Sequence, residues 1–262
     1  MKKTLFAILL SGCCTSFSQA IDLVGNYSFQ ENLNNAVTGK NALNKWTQNN
    51  CTTSFDNGYL TFTEREDEYS GLYNVDASGL GSNWSLQLSI NLAEIGGSYQ
   101  QILKLGSDAQ SAPGLMLVVG NGASDWGSGF GLASANSHNN RIMSTQSVNA
   151  GKWNTISLIS LNNSLKMYIG TEDITNTLTL SQGSGIADLS YSLDALKLGY
   201  NNITGNYGVK EGTSFKDLKI WALDATTDTF ASVEAAMQIP EPTTTCLSII
   251  GLIGLIFHRR RA

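Results

Sequence analysis

Three groups of residues in this 262-residue chain carry side chains that could do chemistry. The densest group of acids is Glu64-Arg65-Glu66-Asp67-Glu68. Glycoside hydrolysis needs two carboxylates that flank the scissile bond, whereas successive side chains on a strand point to opposite faces. We therefore interpret this acidic group as a solvated turn or loop rather than a catalytic pair.

The histidine and cysteine content gives little support to nucleophilic or zinc chemistry. Between residues 21 and 239, His138 is the one histidine and Cys51 the one cysteine. A serine-type triad needs an activating base, and a zinc site takes three or four ligands of these types. His138 lies in a polar segment, and no histidine or basic residue is close to Cys51 in sequence. We expect a solvated histidine and a buried, inert thiol, with no catalytic residue and no cofactor.

Carbohydrate binding is the chemistry that the third group supports. Sugar sites combine an aromatic face with planar amide or carboxylate groups that hydrogen-bond to hydroxyls. The candidates lie on a glycine-rich turn and in a polar loop that hairpin pairing would bring close together: Asn121, Asp125, Trp126, His138, Asn139 and Asn140. A second candidate group is Tyr200-Asn201-Asn202 with Asn206-Tyr207. The alternative is that Trp126 covers the core beside a turn while the asparagines bond loop backbone.

Strands must position these residues, because most of residues 21–239 has strand periodicity. The clearest case is 83–92, whose alternate residues Trp84, Leu86, Leu88, Ile90 and Leu92 fall on one face. Two further strands are predicted to form a hairpin across Asn162-Asn163, since asparagine tolerates positive φ. Only 227–237 has helical spacing, with Thr227 or Asp228 as its cap. Many short strands separated by turn signals predict an all-β sandwich or barrel.

Charge narrows the possible partners. Residues 21–239 carry 11 basic and 20 acidic residues, after Lys2, Lys3, three terminal arginines and Glu241 are subtracted from totals of 16 and 21. Binding to phosphate groups needs clustered Lys and Arg, and no basic run occurs in these residues, so we exclude nucleic acid.

The order of features resembles the LamG-like, or concanavalin A-like, jelly-roll family. Five segments carry the resemblance: Tyr27-Ser28-Phe29, Gly151-Lys152-Trp153, Leu165-Lys166-Met167-Tyr168-Ile169-Gly170, Leu196-Lys197-Leu198-Gly199 and Phe215-Lys216-Asp217-Leu218-Lys219-Ile220-Trp221. The resemblance implies a jelly-roll sandwich of two antiparallel sheets over residues 21–238. A shared fold does not transfer a ligand.

Two activities of this fold family can be compared with the sequence. In the laminarinase-like branch, the catalytic carboxylates come from one strand as E-x-D-x-x-E, a spacing that residues 64–68 do not match. Some relatives bind calcium at a sheet edge through Asp side chains and backbone carbonyls. No D-x-D-x-D-G loop occurs here, so calcium remains open without assigned ligands.

Residues 1–20 have the organisation of a secretory signal peptide. Two lysines precede a short apolar stretch, and Ser18-Gln19-Ala20 forms an A-x-A-like site, so we expect cleavage after Ala20. An alternative is that Leu10-Ser11-Gly12-Cys13, which resembles a bacterial lipobox, is lipidated at Cys13. We disfavour lipidation because strand-like residues begin at Ile21 and leave no spacer.

Residues 239–262 combine Pro240-Glu241-Pro242, an apolar run over 246–257, and Arg259, Arg260 and Arg261. About 20 apolar residues span a bilayer, and arginines on one flank are retained in the cytoplasm, which places the preceding chain outside. This order resembles the PEP-CTERM sorting signal of bacterial envelope proteins. The resemblance implies that an exosortase-type protease cuts this segment and transfers the body to the surface. An unprocessed C-terminal membrane anchor is the alternative.

Together these features predict an exported protein of the cell envelope or extracellular surface, anchored in the membrane by a short C-terminal helix before processing. Its expected module is non-catalytic and lectin-like. The expected partners are an exosortase-type sorting protease, the membrane, and a polysaccharide, surface glycan or other surface protein. The alternatives are a glycan-active hydrolase or lyase on the same fold, and a purely structural matrix protein.

Overall fold

A computed structural model of the full chain describes residues 21–46, 52–64, 72–76, 80–106, 114–123, 126–134, 137–175, 178–182, 195–199 and 208–239. Antiparallel strands dominate these residues, which confirms the predicted all-β class. In chain order the strands are β1 (Asp22–Tyr27), β2 (Asn44–Trp46), β3 (Thr52–Ser54), β4 (Leu60–Glu64), β5 (Leu72–Asp76), β6 (Trp84–Asn91), β7 (Gln100–Gly106), β8 (Gly114–Val119), β9 (Phe130–Ser134), β10 (Ser137–Ser144), β11 (Trp153–Leu161), β12 (Ser164–Ile169), β13 (Glu172–Asp173), β14 (Leu178–Gln182), β15 (Ala195–Leu198) and β16 (Ser214–Ala222).

These strands form two antiparallel sheets. The first sheet has the order β13-β12-β11-β6-β16-β4-β3. Strand β16 pairs with β6 along one edge, and along its other edge it pairs with both β4 and β1. The second sheet has the order β14-β10-β9-β8-β7-β15-β5-β2. Every strand pair is antiparallel, as the predicted sandwich of two antiparallel sheets requires.

The two sheets pack face to face over one hydrophobic core. On β6, alternate residues from Trp84 to Ile90 are buried in this core, as their period of two predicts. From the second sheet, alternate residues of β8 from Leu115 to Val119 fill the same core. We call the face of each sheet that points away from the other sheet its outer face.

The Asn162-Asn163 hairpin between β11 and β12 is confirmed. The register places Leu161 opposite Ser164, and both asparagines have positive φ, 51° and 59°. These angles match a two-residue turn that continues the twist of the flanking strands.

A short helix, α1 (Phe230–Ala236), covers part of the outer face of the first sheet. Its cap is Thr229, which exchanges hydrogen bonds with Ser232 in a capping box. The helix is therefore shorter than the predicted 227–237, and neither Thr227 nor Asp228 is the cap. The residues before 230 instead form a turn, because the side chain of Asp224 accepts bonds from Thr226.

Residues from both ends of the described chain pack in the cluster under α1. Ile21, Val233 and Ile239 belong to it, together with Trp221 of β16. Thus Ile21 and Ile239, the first and last described residues, lie at the same hydrophobic cluster.

No helix within the described ranges is long and apolar enough to cross a bilayer. Several predicted features fall outside those ranges: Ala20, Cys51, Arg65 to Glu68, the Pro240-Glu241-Pro242 motif, the apolar run and Arg259, Arg260 and Arg261. For these, signal cleavage, sorting and membrane anchoring remain predictions.

Candidate functional site

The turn between β8 and β9 carries the first predicted site residues. Two hydrogen bonds of the Asn121 side chain stabilise this turn. Its Nδ2 donates to the Gly97 carbonyl at 3.1 Å, and its Oδ1 accepts from the Ala123 amide at 3.0 Å. The amide group of Asn121 is thus engaged with loop backbone, the role that the alternative interpretation gave it. Asp125 lies outside the described residues.

Trp126 is the middle layer of a stack of three side chains. Its ring lies parallel to that of Tyr99, with centroids 3.8 Å apart and an interplanar angle of 8°. The Arg141 Cζ lies 3.8 Å from the indole centroid. Two groups this close must cover opposite faces of the indole, because on one face they would overlap. The expected exposed aromatic face is therefore corrected: Trp126 is 8% exposed.

Gly120 lets the turn fold back over the sheet. A Cβ at this position would lie 2.2 Å from the carbonyl oxygens of both Trp126 and Gly127. Such a distance is well inside van der Waals contact, so a side chain at position 120 would push the turn away. Glycine here therefore sets how closely Trp126 approaches the outer face of the second sheet.

The second group of predicted residues lies on a strand rather than in a polar loop. His138, Asn139 and Asn140 belong to β10, where the register with β9 jumps from Ser137 to Arg141. Asn140 is half-buried, and the side chains of His138 and Asn139 lie outside the described set. Pairing does bring β10 beside the Trp126 turn, as expected, but Arg141 makes the contact.

Three cationic residues share one cross-strand row on the outer face of the second sheet. The register aligns Lys197 with Lys104, Lys104 with Met116, Met116 with Ala133, and Ala133 with Arg141. Lys104 and Arg141 are 1% exposed and Lys197 is 3% exposed. Each of the three has a polar or electrostatic partner, as buried charges require.

Gln101 lies on the same face, next to the stack. It is fully buried, and its Nε2 lies 3.5 Å from the Tyr99 hydroxyl oxygen. Its Oε1 has no hydrogen-bond partner among the described residues. An unsatisfied buried carbonyl costs roughly 1–3 kcal/mol of stability. We call the set formed by Tyr99, Gln101, Lys104, Trp126, Arg141 and Lys197 the Trp126 face.

Sequence reasoning missed most of the Trp126 face. Lys104 and Lys197 are each a single basic residue between apolar residues of a strand. Arg141 is likewise a single basic residue, directly before the apolar residues Ile142 and Met143. In the sequence, the signal for this face is a single cation within each apolar strand. It could not show that the three strands align these cations in one row.

Metal ligation and acid catalysis receive no geometric support within the described ranges. There, no group of three or more His, Cys, Asp or Glu side chains is placed to hold a metal ion. Of the acidic group, Glu64 ends β4 and the rest lies outside the described chain. Calcium binding remains an open prediction.

No protein-family model matches the chain, and no curated protein is detectably similar to it in sequence. Solved structures are similar in fold. Domain 4 of an extracellular GH43 arabinanase from Geobacillus stearothermophilus, solved in complex with arabinotriose, aligns with a TM-score of 0.53 at 12% identity, over 79% of this chain and 97% of that domain. At this identity the likeness shows the fold alone, and it agrees with a jelly-roll sandwich.

Two more distant structures align with lower scores. The CBM40 of a Ruminococcus gnavus IT-sialidase, bound to α2,3-sialyllactose, gives a TM-score of 0.46 at 13% identity, over 70% of this chain and 96% of that one. A Trypanosoma rangeli sialidase in complex with sialic acid gives 0.49 at 11% identity, over 78% of this chain. The match spans only 31% of that sialidase.

Proposed function

We propose that this chain is an exported surface protein whose β-sandwich binds carbohydrate without cleaving it. The observation that carries the proposal is the Trp126 face, where a free carbonyl oxygen, three cations and two stacked aromatic rings share one side of a sheet. The likeness to a domain solved with arabinotriose supports the choice of ligand through the fold only.

The energetics of this face favour a function beyond stability. Burying a charged group costs several kcal/mol before pairing offsets it, and apolar side chains of similar volume are often as stable or more so. The second sheet nevertheless buries Lys104, Arg141 and Lys197 along one row. Departures from the rules of stable packing concentrate at functional sites. The free Gln101 Oε1 beside this row can accept a hydrogen bond from a sugar hydroxyl.

Binding at this face needs a movement of the Trp126 turn. Tyr99 and Arg141 cover both faces of the indole, so a sugar does not stack on Trp126 in the closed arrangement. When the turn moves off the sheet, Gln101 Oε1 becomes available to hydroxyls. Gly122 and Gly127, with φ of 82° and 57°, give the turn a conformation that other residues rarely adopt. Loop rearrangement on binding is common in recognition.

Replacement of Gln101 by methionine tests the proposal. First, a glycan array with the full chain identifies the ligand. Q101M removes the free carbonyl oxygen and keeps the side-chain volume, so we expect unchanged or higher stability and about tenfold weaker binding, which corresponds to about 1.4 kcal/mol. Calorimetric titration measures the affinity and thermal unfolding the stability.

The matched control is Q30M, the same change at an exposed position, which should leave the affinity unchanged. Equal affinity of Q101M and wild type would show that the Trp126 face is not the site. Absence of any bound glycan would favour the structural matrix protein. Cleavage of a bound glycan, lost on changing Glu64, Glu66 or Asp67, would instead support the alternative of a hydrolase or lyase.

A further inference from the structure

An aromatic pair spans the outer face of the first sheet. Trp153 opens β11 and Tyr59 directly precedes β4, and β6 and β16 lie between these two strands. Strands are about 4.8 Å apart, so the two backbones are separated by roughly 14 Å. The rings nevertheless meet, with centroids 5.3 Å apart and an interplanar angle of 66°. Both side chains therefore reach across the intervening strands.

Small polar residues form the floor beneath this pair. Ser89 and Thr155 share a hydrogen bond of 3.0 Å, and Thr61 and Ser214 share one of 2.8 Å. Asn91 lies between them in register, opposite Trp153 on one side and Ser214 on the other. The Oδ1 of Asn91 is buried and, in the part of the chain that the structure describes, has no hydrogen-bond partner. Asn91 Oδ1 is thus an acceptor in this floor that a donor from a ligand could satisfy.

Two lysines lie close to this aromatic pair, one in space and one in sequence. Lys216 Nζ lies 4.8 Å from the centroid of a Trp153 ring, and Lys152 is exposed beside Trp153 in sequence. Within the described residues, neither lysine forms an ion pair with a carboxylate. Residues 21–239 as a whole are acidic, so an anionic polymer is not attracted by net charge and needs a local basic site.

Trp153 is also accessible to a large ligand. It is 38% exposed, the large apolar side chain of the described chain that solvent reaches most. A cation near an exposed aromatic ring is held weakly. Lys216 can therefore leave the indole face when a carboxylate becomes available to it.

We propose that Tyr59 and Trp153 form a clamp for an acidic sugar, a hexuronate residue within a polysaccharide. The C–H face of the pyranose packs on the indole, and the carboxylate pairs with Lys216 and Lys152. When the Tyr59 ring moves off Trp153, a hydroxyl donates to the buried Asn91 Oδ1. This clamp lies on the opposite sheet from the Trp126 face. It goes beyond the proposed function, since it adds a second site and gives its ligand a charge.

The test uses tetragalacturonate as the probe, with its methyl ester as the uncharged counterpart. Binding to the full chain is measured by calorimetric titration and by protection of tryptophan fluorescence from acrylamide. We expect wild type to bind the acid and to prefer it over the ester. Trp153→Ala should weaken binding of the acid at least tenfold, and Lys216→Gln should remove the preference for the acid over the ester.

Two control variants separate this clamp from other sites and from unfolding. Lys219→Gln removes another lysine from the same strand, and Gln30→Met changes an exposed residue outside both proposed sites; both should bind tetragalacturonate like wild type. Circular dichroism checks that every variant is folded. The clamp is overturned if folded Trp153→Ala binds as tightly as wild type, if acid and ester bind equally to wild type, or if wild type binds neither. None of these results bears on a glycan bound at the Trp126 face, which Gln101→Met alone reports.

Discussion

Trp126 and Trp153 are the same residue type in opposite environments. Trp126 is buried between Tyr99 and Arg141, whereas Trp153 is partly exposed and makes an edge contact with Tyr59. Removing a buried Trp side chain costs about 3–5 kcal/mol. We therefore expect Trp126→Ala to lower the free energy of unfolding by about 3 kcal/mol or more, measured by urea denaturation of the full chain.

Trp153→Ala is the matched control for this prediction. It loses an aromatic pair worth about 0.5–1.5 kcal/mol and some partly buried area, so we expect a loss of about 1 kcal/mol. Similar losses for the two variants would mean that the Trp126 stack adds little to stability. That outcome would also make Trp126 a better candidate for direct contact with a ligand.

At the scale of elements, one carboxylate ties helix α1 to the first sheet. Glu234 of α1 accepts hydrogen bonds from Lys166 at 2.7 Å and from the Tyr168 hydroxyl, both on β12. Tyr168 is buried. Burial and, next, the hydrogen bond to Glu234 raise the pKa of Tyr168 well above its usual value of 10.0. Both causes favour the neutral phenol, which keeps its proton and donates a hydrogen bond to the carboxylate.

This raised pKa makes stability depend on pH. In the unfolded chain Tyr168 ionises near pH 10, while in the folded chain it keeps its proton, so its contribution is complete below pH 10 and declines as pH rises further. Tyr168→Phe cannot ionise. We expect its free energy of unfolding to fall less steeply above pH 10 than that of wild type, by at most about 1.4 kcal/mol per pH unit.

The measurement is urea denaturation from pH 8 to 11 by steps, with circular dichroism as the readout. Below pH 10 the two curves should run parallel, and Tyr168→Phe should be offset by the lost hydrogen bond, about 1 kcal/mol. Parallel curves above pH 10 as well would contradict the raised pKa.

At the scale of the whole molecule, both ends of the described chain pack in one cluster. Ile21 and Ile239 lie with α1 on the outer face of the first sheet. The Trp126 face belongs to the second sheet and points the other way. If the C-terminal segment holds the protein at a membrane, as the sequence predicts, Ile239 of this cluster is the last described residue before that segment.

Deletion of residues 240–262 tests this arrangement. The deletion removes the apolar run and the three arginines that would retain the chain at the membrane. Ile239, which is buried, stays in the cluster. We therefore expect the shortened protein in the medium, with an unchanged melting temperature, as measured by cell fractionation and thermal unfolding.

A longer deletion, of residues 230–262, is the control for the cluster. It removes α1 and exposes Ile159, Leu161 and Trp221, so its melting temperature should fall. Continued association of the 240–262 deletion with cells would contradict a C-terminal anchor. A lower melting temperature for that deletion would show that the tail stabilises the sandwich.

The sequence by itself determined the fold class and several elements. Alternation along β6 and the hairpin at Asn162-Asn163 are local properties, set by the period of side chains on a strand and by residues that accept positive φ. Helical spacing predicts a helix that begins three residues before α1, because the turn that follows Asp224 contains residues that resemble caps.

Only the tertiary structure decided which side chains meet. Arg141 lies 42 positions from Tyr99, by subtraction of their numbers, and Trp126 joins them because strand order brings β10 and the turn after β8 to one face. The row from Lys197 to Arg141 and the reach of Tyr59 to Trp153 likewise depend on register between distant strands. A pattern within one strand gives the face of a residue, but register, which depends on the whole sheet, gives its neighbours.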